Sequence, residues 1–548
     1  MRLRLVALMA LAVLLAGIAP GPPEIRRPNF WGGVATGAPA PAQPQRGGRL
    51  VIAMSVETST LDVHALPHSW IVEANQYIYE TLTDRDDQGR VIPWLARSWR
   101  VTNSGKTVTL NLQPGVKFSD GTPFNAEAAK WNLERKLKEK LPFHDLITSI
   151  DSIDVVNDMT LRLNLKHPAL HLMATLSLKP LAMMSPTAFR KYGKDIAVNP
   201  VGTGPFTLAE WRKGQFLRFK RNPDYWRPGL PYVDEIVLRT IPDIAVRAQA
   251  LEAGEVDIAL HLSEVDIQRM QSNPKYRVTS APAWGQYYMP MNNHERRGIL
   301  NDRRVRQAIN HAIDRKAMVD TIFLGVGARV SDAPGLTSGI FGYAPVGTYS
   351  YDPARARALL AEAGWRPGPG GLVERDGRAL RLRLVTRRGA VKGDIQIAET
   401  LQAQLKAIGI DLRIDVLEGA IFLRTVTQPP ERADYDILNL TVGTFNGDAD
   451  YLFNLLLSCK AWPPARFNRM FYCNPQLDQI LEKANVATDN PTRLGLYQEM
   501  ARIVHRDAPF IILFDIVYSV VMQASVHGVE IHRAGNFPAR FAWTEKGR

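Results

Sequence analysis

Cysteine is almost missing from this chain of 548 residues, which has only Cys459 and Cys473. Two cysteines cannot make a disulfide scaffold, and no Cys-x-x-Cys pair offers a redox or zinc site. Catalytic signatures are as scarce. There is no G-x-S-x-G, no H-E-x-x-H and no Walker loop, so neither a nucleophile elbow, a zinc-protease helix nor a phosphate cradle is expected. His64/His68 and His167/His171 have the spacing of a helical metal pair, but Pro67 and Pro168 stand between or beside them and argue against a regular helix there. No run of five like charges occurs, so the formal net charge of +13 is dispersed among acidic residues and predicts solubility, not a nucleic-acid groove. Past the N-terminus no apolar run is long enough to span a bilayer, and Phe510–Val521 is interrupted by Asp515.

What is present reads as an ordinary globular composition, 45% hydrophobic and 22% charged. The length predicts about three structural units at roughly 150 residues each. Met1–Ala19 resembles a secretory signal, with Arg2 and Arg4 ahead of the apolar stretch Leu5–Ala16. No cysteine follows it to carry a lipid, and Ala40-Pro41-Ala42 fits a cleavage site, so residues 1–42 are read as signal peptide and leader of an exported protein. Removing them leaves a net charge of +10. In an exported chain the close cysteine pair is expected to form one bridge, Cys459–Cys473.

The organising stretch is Asn199–Thr240. Val201-Gly202-Thr203-Gly204-Pro205 predicts a tight turn, because Gly accepts positive φ and Pro fixes its own. Alternating strands follow from Phe206 to Lys220, then the Pro-broken loop Asn222–Trp226, then a strand near Ile236–Thr240. Earlier, Arg49–Val56 and Thr107–Leu112 alternate as strands, Ile71–Leu82 has helical spacing, and Asn125 can cap a helix over Ala126–Lys138. Asp120 sits in a turn with no second acid or base beside it. Asn301–Phe323 predicts one long helix capped by Asp302, with its charges on a solvated face. Asp352 and Pro353 open another helix. Strand and helix then alternate through Leu380–Thr386, Ile395–Ile408, Ile410–Val416 and Asp436–Thr441, which predicts an α/β lobe. Leu477–Leu481 and Pro491–His505 predict helices, and Phe510–Met522 a buried strand pair.

Three pieces of the organising stretch stand in order: Gly202–Phe206 (GTGPF), Trp211–Gly214 (WRKG) and Arg221–Trp226 (RNPDYW). With Tyr79–Leu82 (YETL), Gly115–Phe124 (GVKFSDGTPF), Ala250–Asp257 (ALEAGEVD) and Asn301–Arg315, the chain resembles the family 5 solute-binding proteins of bacterial ABC importers, the dipeptide- and oligopeptide-binding class. The resemblance covers nearly all of Gly47–Val529.

It implies a three-lobed α/β fold of the periplasmic-binding-protein type, with a ligand cleft between two main lobes. Lobe I is then expected over 43–82, 202–288 and 517–548, an inserted lobe Ib over 83–201, and lobe II over 289–516. Crossings near Trp284–Asn292 and Asp515–Met522 are the expected hinges. The implied function is capture of a peptide or related small solute for a membrane permease, as a monomer with no cofactor, no nucleic acid and no enzymatic activity. In dipeptide-binding relatives an arginine after a lobe II strand meets the ligand carboxylate, and Arg388, beside Arg387, holds the matching position. An arginine fork grips a carboxylate with two parallel hydrogen bonds. The family's amine-binding segment corresponds to Gly443–Phe453. Asn446, Asp448 and Asp450 fit there, but the earlier aspartate is replaced near Thr444 or Phe445 and the preceding tryptophan is missing. That keeps open a metal chelate, an oligosaccharide or an opine-like acid as solute. A secreted hydrolase is the reading from a different class. Trp284, Tyr287, Tyr288 and Phe445 are candidate aromatic walls of the cleft.

Overall fold

A computed structural model describes residues 43–65, 73–389, 391–444, 446–534 and 539–545. The leader, His68 and Phe445 therefore lie outside the described residues. Nine strands form the largest sheet. In spatial order they are Leu440–Gly443, Tyr276–Pro290, Phe510–Gln523, Ile258–Leu260, Arg49–Met54, Glu235–Thr240, Phe216–Arg221 and Phe206–Arg212, with Ala328–Val330 also on Phe510–Gln523. Arg49–Met54 runs parallel to both of its neighbours, so its loops and theirs emerge at one edge. Leu50, Ile52, Phe219, Ile236 and Leu238 alternate inward onto one core with Tyr77 and Phe206.

The organising stretch folds as expected, for a partly different reason. Gly202 and Gly204 do not take positive φ. They are glycine because the backbone of Ile78 passes so close: a Cβ on Gly202 would lie 2.2 Å from the Ile78 carbonyl oxygen, and one on Gly204 2.6 Å from it. Gly214, in the hairpin between the two following strands, does have φ +74°. Asn222 donates to the Gly204 carbonyl at 3.0 Å, and the loop then carries Tyr225 and Trp226 to Glu80. Ile71–Leu82 is mostly not helical: among the described residues only Asn75–Ile78 makes a turn, and Glu80 pairs instead with Met183 as an extended residue.

The segment that follows builds its own four-stranded antiparallel sheet from Ala96–Thr102, Thr107–Leu112, Thr160–Leu165 and Ile150–Asn157. The helix Ala126–Lys138 covers it, with the Asn125 side chain accepting from the Ala128 amide at 3.0 Å. Phe118, Phe124, Leu110, Leu133 and Leu161 close this core.

A third unit is built on a parallel sheet, Asp411–Val416, Arg381–Thr386 and Ile437–Leu438, packed by the helix Asp394–Lys406. The predicted Asn301–Phe323 helix is two helices, Arg303–His311 and Arg315–Ile322, because Asp314 caps a new start by accepting from the Ala317 amide at 2.9 Å. Its charges are not all solvated either. Arg306 is buried and donates to the carbonyls of Leu300, Asn301, Asp507 and Ala508. Arg315 is buried too, with bonds to the Asn310, Ile313 and Tyr349 carbonyls. Burial lowers both guanidinium pKa values to about 10. Asp302 and Asp352 cap as expected. Cys459 and Cys473 are bonded, closing a loop of sequence separation 14, which restricts the unfolded chain by about 3 kcal/mol.

Phe510–Gln523 is one long strand, not a pair, and it runs antiparallel beside Tyr276–Pro290. This ladder passes from the first core to the third. Its register shifts between Pro282 and Gln286 and again at Tyr287. There Asp515 is wholly buried. Gln286 donates to its Oδ1 at 3.0 Å, and Arg329 grips its Oδ2 through two nitrogens at 2.9 and 2.7 Å.

Candidate functional site

Arg85 ends the short strand Thr83–Arg85 and is buried among three parts of the chain. Its Nε donates to Ser177 Oγ at 3.0 Å, Nη1 to the Gly89 carbonyl, and Nη2 to the carbonyls of Ala174 and Asn446. Its guanidinium lies 4.7 Å above the Trp284 ring, a cation–π contact strengthened by exclusion of water. Burial lowers its pKa to about 10, with Asp448 and Asp84 opposing.

Trp284, on the long strand Tyr276–Pro290, is thus at a meeting point. The His532 ring approaches it edge-on at 5.4 Å, and Gly447, at φ +60°, leaves room for its edge, where a Cβ would come within 2.6 Å. The Trp284 Nε1 and Thr444 Oγ1 atoms are buried and have no hydrogen-bond partner among the described residues. Burying a polar group unpaired costs on the order of 1–3 kcal/mol, so this junction is packed at a local cost.

The segment 446–450 turns on its own side chains. Asn446 accepts from the Asp448 amide at 3.2 Å and donates through Nδ2 to Asp450 Oδ1 at 3.1 Å and towards Thr175 Oγ1 at 3.5 Å. Asp448 caps the following helical turn and forms a buried ion pair with Arg493 on the helix Asn490–Asp507. Asp450 faces the other way. Its Oδ2 is 3.9 Å from His171 Nδ1, and burial raises its carboxyl to about 6, His171 pulling down and Asp448 adding to the rise. A cavity of about 150 Å³ opens there, lined by Asp145, Ser149, His167, His171, Asn446 and Asp450 among others.

Arg387 and Arg388 follow the strand Arg381–Thr386. Arg388 is exposed, and Arg387 is half-buried with its guanidinium 5.7 Å from the Phe422 ring. A few residues on, Lys392 pairs with Glu264 at the start of the helix Glu264–Gln271, which packs on the strand Tyr276–Pro290. The expected wall role of Tyr287 and Tyr288 gives way to core packing, because the strand is covered on both faces at that point. Tyr287 packs against Phe323 and Phe514, and Tyr288 against Phe510. Of the residues singled out in the sequence, Trp284, Asn446, Asp448 and Asp450 come together. Arg387 and Arg388 stand on the parallel sheet of the third unit.

His64 is buried, with Nε2 3.0 Å from the Ala182 carbonyl and Arg135 against its other nitrogen. Among the described residues no three His, Cys, Asp or Glu side chains come together to hold a metal ion. Sequence reasoning missed Arg85, Thr175, His532 and Arg493. Their partners are far along the chain, and nothing near Arg85 in sequence signals that it spans from the inserted segment to Asn446.

The chain matches the family model described as "Bacterial extracellular solute-binding proteins, family 5 Middle" over residues 90–464. It is 30% identical over 466 residues to the glutathione-binding protein GsiB of Pectobacterium atrosepticum, covering 84% of this chain and 88% of the relative. Its fold is similar to NikA from Brucella suis in complex with Fe(III)-EDTA, at TM-score 0.77 and 28% identity over 91% of this chain and 100% of that one. It is also similar to the periplasmic binding protein DppA from Helicobacter pylori in complex with peptide STSA, at TM-score 0.72 and 25% identity over 92% and 99%.

Proposed function

Because the chain belongs to the bacterial extracellular solute-binding proteins of family 5, we propose that it captures a peptide or a related small solute and delivers it to the permease of an ABC importer. It does so outside the cytoplasm, after export and cleavage of the leader. The observation that carries this reading is the bridge from Arg85 to Asn446, beside Trp284. That contact joins the inserted segment to the far side of the long strand pair, as a closing cleft requires. The lobes divide as 43–82, 202–288 and 517–548 for the first, 83–201 for the insert and 289–516 for the second. Arg387 and Arg388 meet the solute's carboxylate, and Trp284, Asn446, Asp448 and Asp450 form the opposite wall. No step of bond chemistry is involved: a solute that favours the closed form shifts the population towards it by its differential affinity.

A second reading replaces the peptide by a metal chelate or another acid. It is favoured by the loss of the acidic residue near Thr444 and Phe445 and by the chelate held by the Brucella suis relative. Calorimetric titration with peptide libraries decides between them. Binding at micromolar or tighter, about −8 kcal/mol, is the expected result. Silence across all peptides would leave the chelates and organic acids.

A further inference from the structure

Asp450 stands at a seam between two parts of the chain that solute capture sets in motion against each other. On one side is the 446–450 turn. On the other is the inserted segment, from which His171 brings Nδ1 to 3.9 Å from Asp450 Oδ2 and Thr175 Oγ1 lies 3.5 Å from Asn446 Nδ2. Arg85 crosses the same seam to the Asn446 carbonyl. The cavity of about 150 Å³ between them is lined by His167 and His171 from one side and by Asn446, Asp450 and Arg466 from the other. The side chain of Asp450 is 16% exposed, and part of what shields it is a surface that a parted seam takes away. With the seam parted the carboxyl is solvated and titrates near the ordinary value of about 3.9.

The charges around Asp450 divide into those already matched and those that are not. Asp448 is paired with Arg493, and Tyr451 and Tyr497, held neutral by burial, add no charge near neutral pH. Asp145, His167 and Arg466 lie exposed on the rim, where water and salt screen them. Among the described residues only His171 brings a basic nitrogen within 4 Å of Asp450. At that length there is no direct hydrogen bond, and the contact offsets only part of the cost of burying the charge. Burial therefore raises the Asp450 carboxyl to about 6, with Asp448 adding to the rise and His171, Arg493 and the Asn446 amide opposing it. An acid whose pKa rises when a seam closes takes up protons as it closes. Closing is then most favoured below about pH 4, where the carboxyl is neutral in both forms, and loses ground as pH rises through about 6.

We propose that the seam between Asp450 and His171 is a proton-coupled latch: the cleft takes up a proton at Asp450 as it shuts, so an acidic medium strengthens the hold on the solute. This rests on the solute-capture reading above and gives it a regulation.

The test uses the full mature chain and tripeptides without ionisable side chains, whose own termini titrate below about pH 4 and near pH 8. Calorimetry at pH 6 in buffers of different ionisation enthalpy is expected to show uptake of about half a proton per peptide bound. Wild-type affinity is expected to rise about five- to tenfold from pH 7 to pH 5. Asp450→Asn cannot ionise yet still offers Asn446 an oxygen, so its proton uptake falls to near zero and its affinity is flat with pH, whatever its level. His171→Gln removes a group that holds the carboxyl down. Its affinity still rises in acid, with the midpoint moved to higher pH, and an unmoved midpoint overturns the latch even where Asp450→Asn does not fold. Buffer-independent enthalpy and pH-flat affinity in the wild type overturn the latch while solute capture stands, and so does an Asp450→Asn variant that keeps the uptake. Silence towards all tripeptides overturns the peptide reading, and small-angle scattering of the unliganded chain then decides the latch. A smaller radius of gyration at pH 5 than at pH 7, lost in Asp450→Asn, supports it, and equal radii overturn it.

Discussion

The hydroxyl of Tyr225 donates to Glu80 Oε1 at 2.8 Å across a sequence separation of 145 residues. Three more donors reach the same carboxylate: Trp94 Nε1 at 2.8 Å, Trp226 Nε1 at 2.8 Å and Thr203 Oγ1 at 3.0 Å. The Tyr-Glu-Thr-Leu, Gly-Thr-Gly-Pro-Phe and Asn-Pro-x-Tyr-Trp signatures are thus one buried hydrogen-bonded knot that fastens the inserted segment to the first sheet.

Glu80→Gln is accordingly a sharp test of stability. An amide has one acceptor oxygen and would turn an N–H₂ towards donors that already have no room for it. The variant is expected to lose about 2–4 kcal/mol, seen as an earlier urea midpoint with unchanged slope. A midpoint within error of wild type would mean that the knot is dispensable.

Arg85→Lys preserves charge but not the planar fork. An ammonium cannot reach Ser177, Gly89, Ala174 and Asn446 together, so the link between the inserted segment and Asn446 is weakened. Peptide affinity is expected to fall by about tenfold, and the radius of gyration at saturating peptide to rise above that of wild type by small-angle scattering. Unchanged affinity and dimensions would remove Arg85 from the closing machinery.

His532 sets a pH dependence. Burial lowers its pKa to about 3. Asp84 opposes this, Lys179, Arg85 and Arg540 reinforce it, and the Trp284 ring packs against the imidazole. The folded chain therefore holds this imidazole neutral while the unfolded chain protonates it near 6.5. Its contribution to stability is fully present above pH 6.5 and declines as pH falls from there towards 3. Urea midpoints measured between pH 7 and 4.5 are expected to fall less steeply in His532→Gln than in wild type. Parallel curves would show that His532 does not carry the effect.

Local signals in the sequence were reliable where a residue acts on its neighbours. Asn125, Asp302 and Asp352 cap the helices they precede, and the alternating runs from Phe206 to Thr240 are strands in register. The cysteine pair expected to bond does so. Signals failed where the partner is remote. Arg306 and Arg315 sit in a helical pattern that predicts solvent, yet the carbonyls they need come from Asp507, Ala508 and Tyr349. The candidate site was half legible. A resemblance located the 446–450 turn, but it could not tell that Asp448 is taken up by Arg493 while Asp450 looks into a cavity, because both depend on helix Asn490–Asp507 and segment 145–171 arriving from elsewhere.

The strand Phe510–Gln523 lies in the middle of the nine-stranded sheet, between Tyr276–Pro290 and Ile258–Leu260. Biosynthesis delivers it after both of them. Until it arrives, two neighbouring strands have unpaired edges, and buried Arg315 lacks the Ile512 carbonyl. The first and third cores are therefore completed together, by one strand that both of them need.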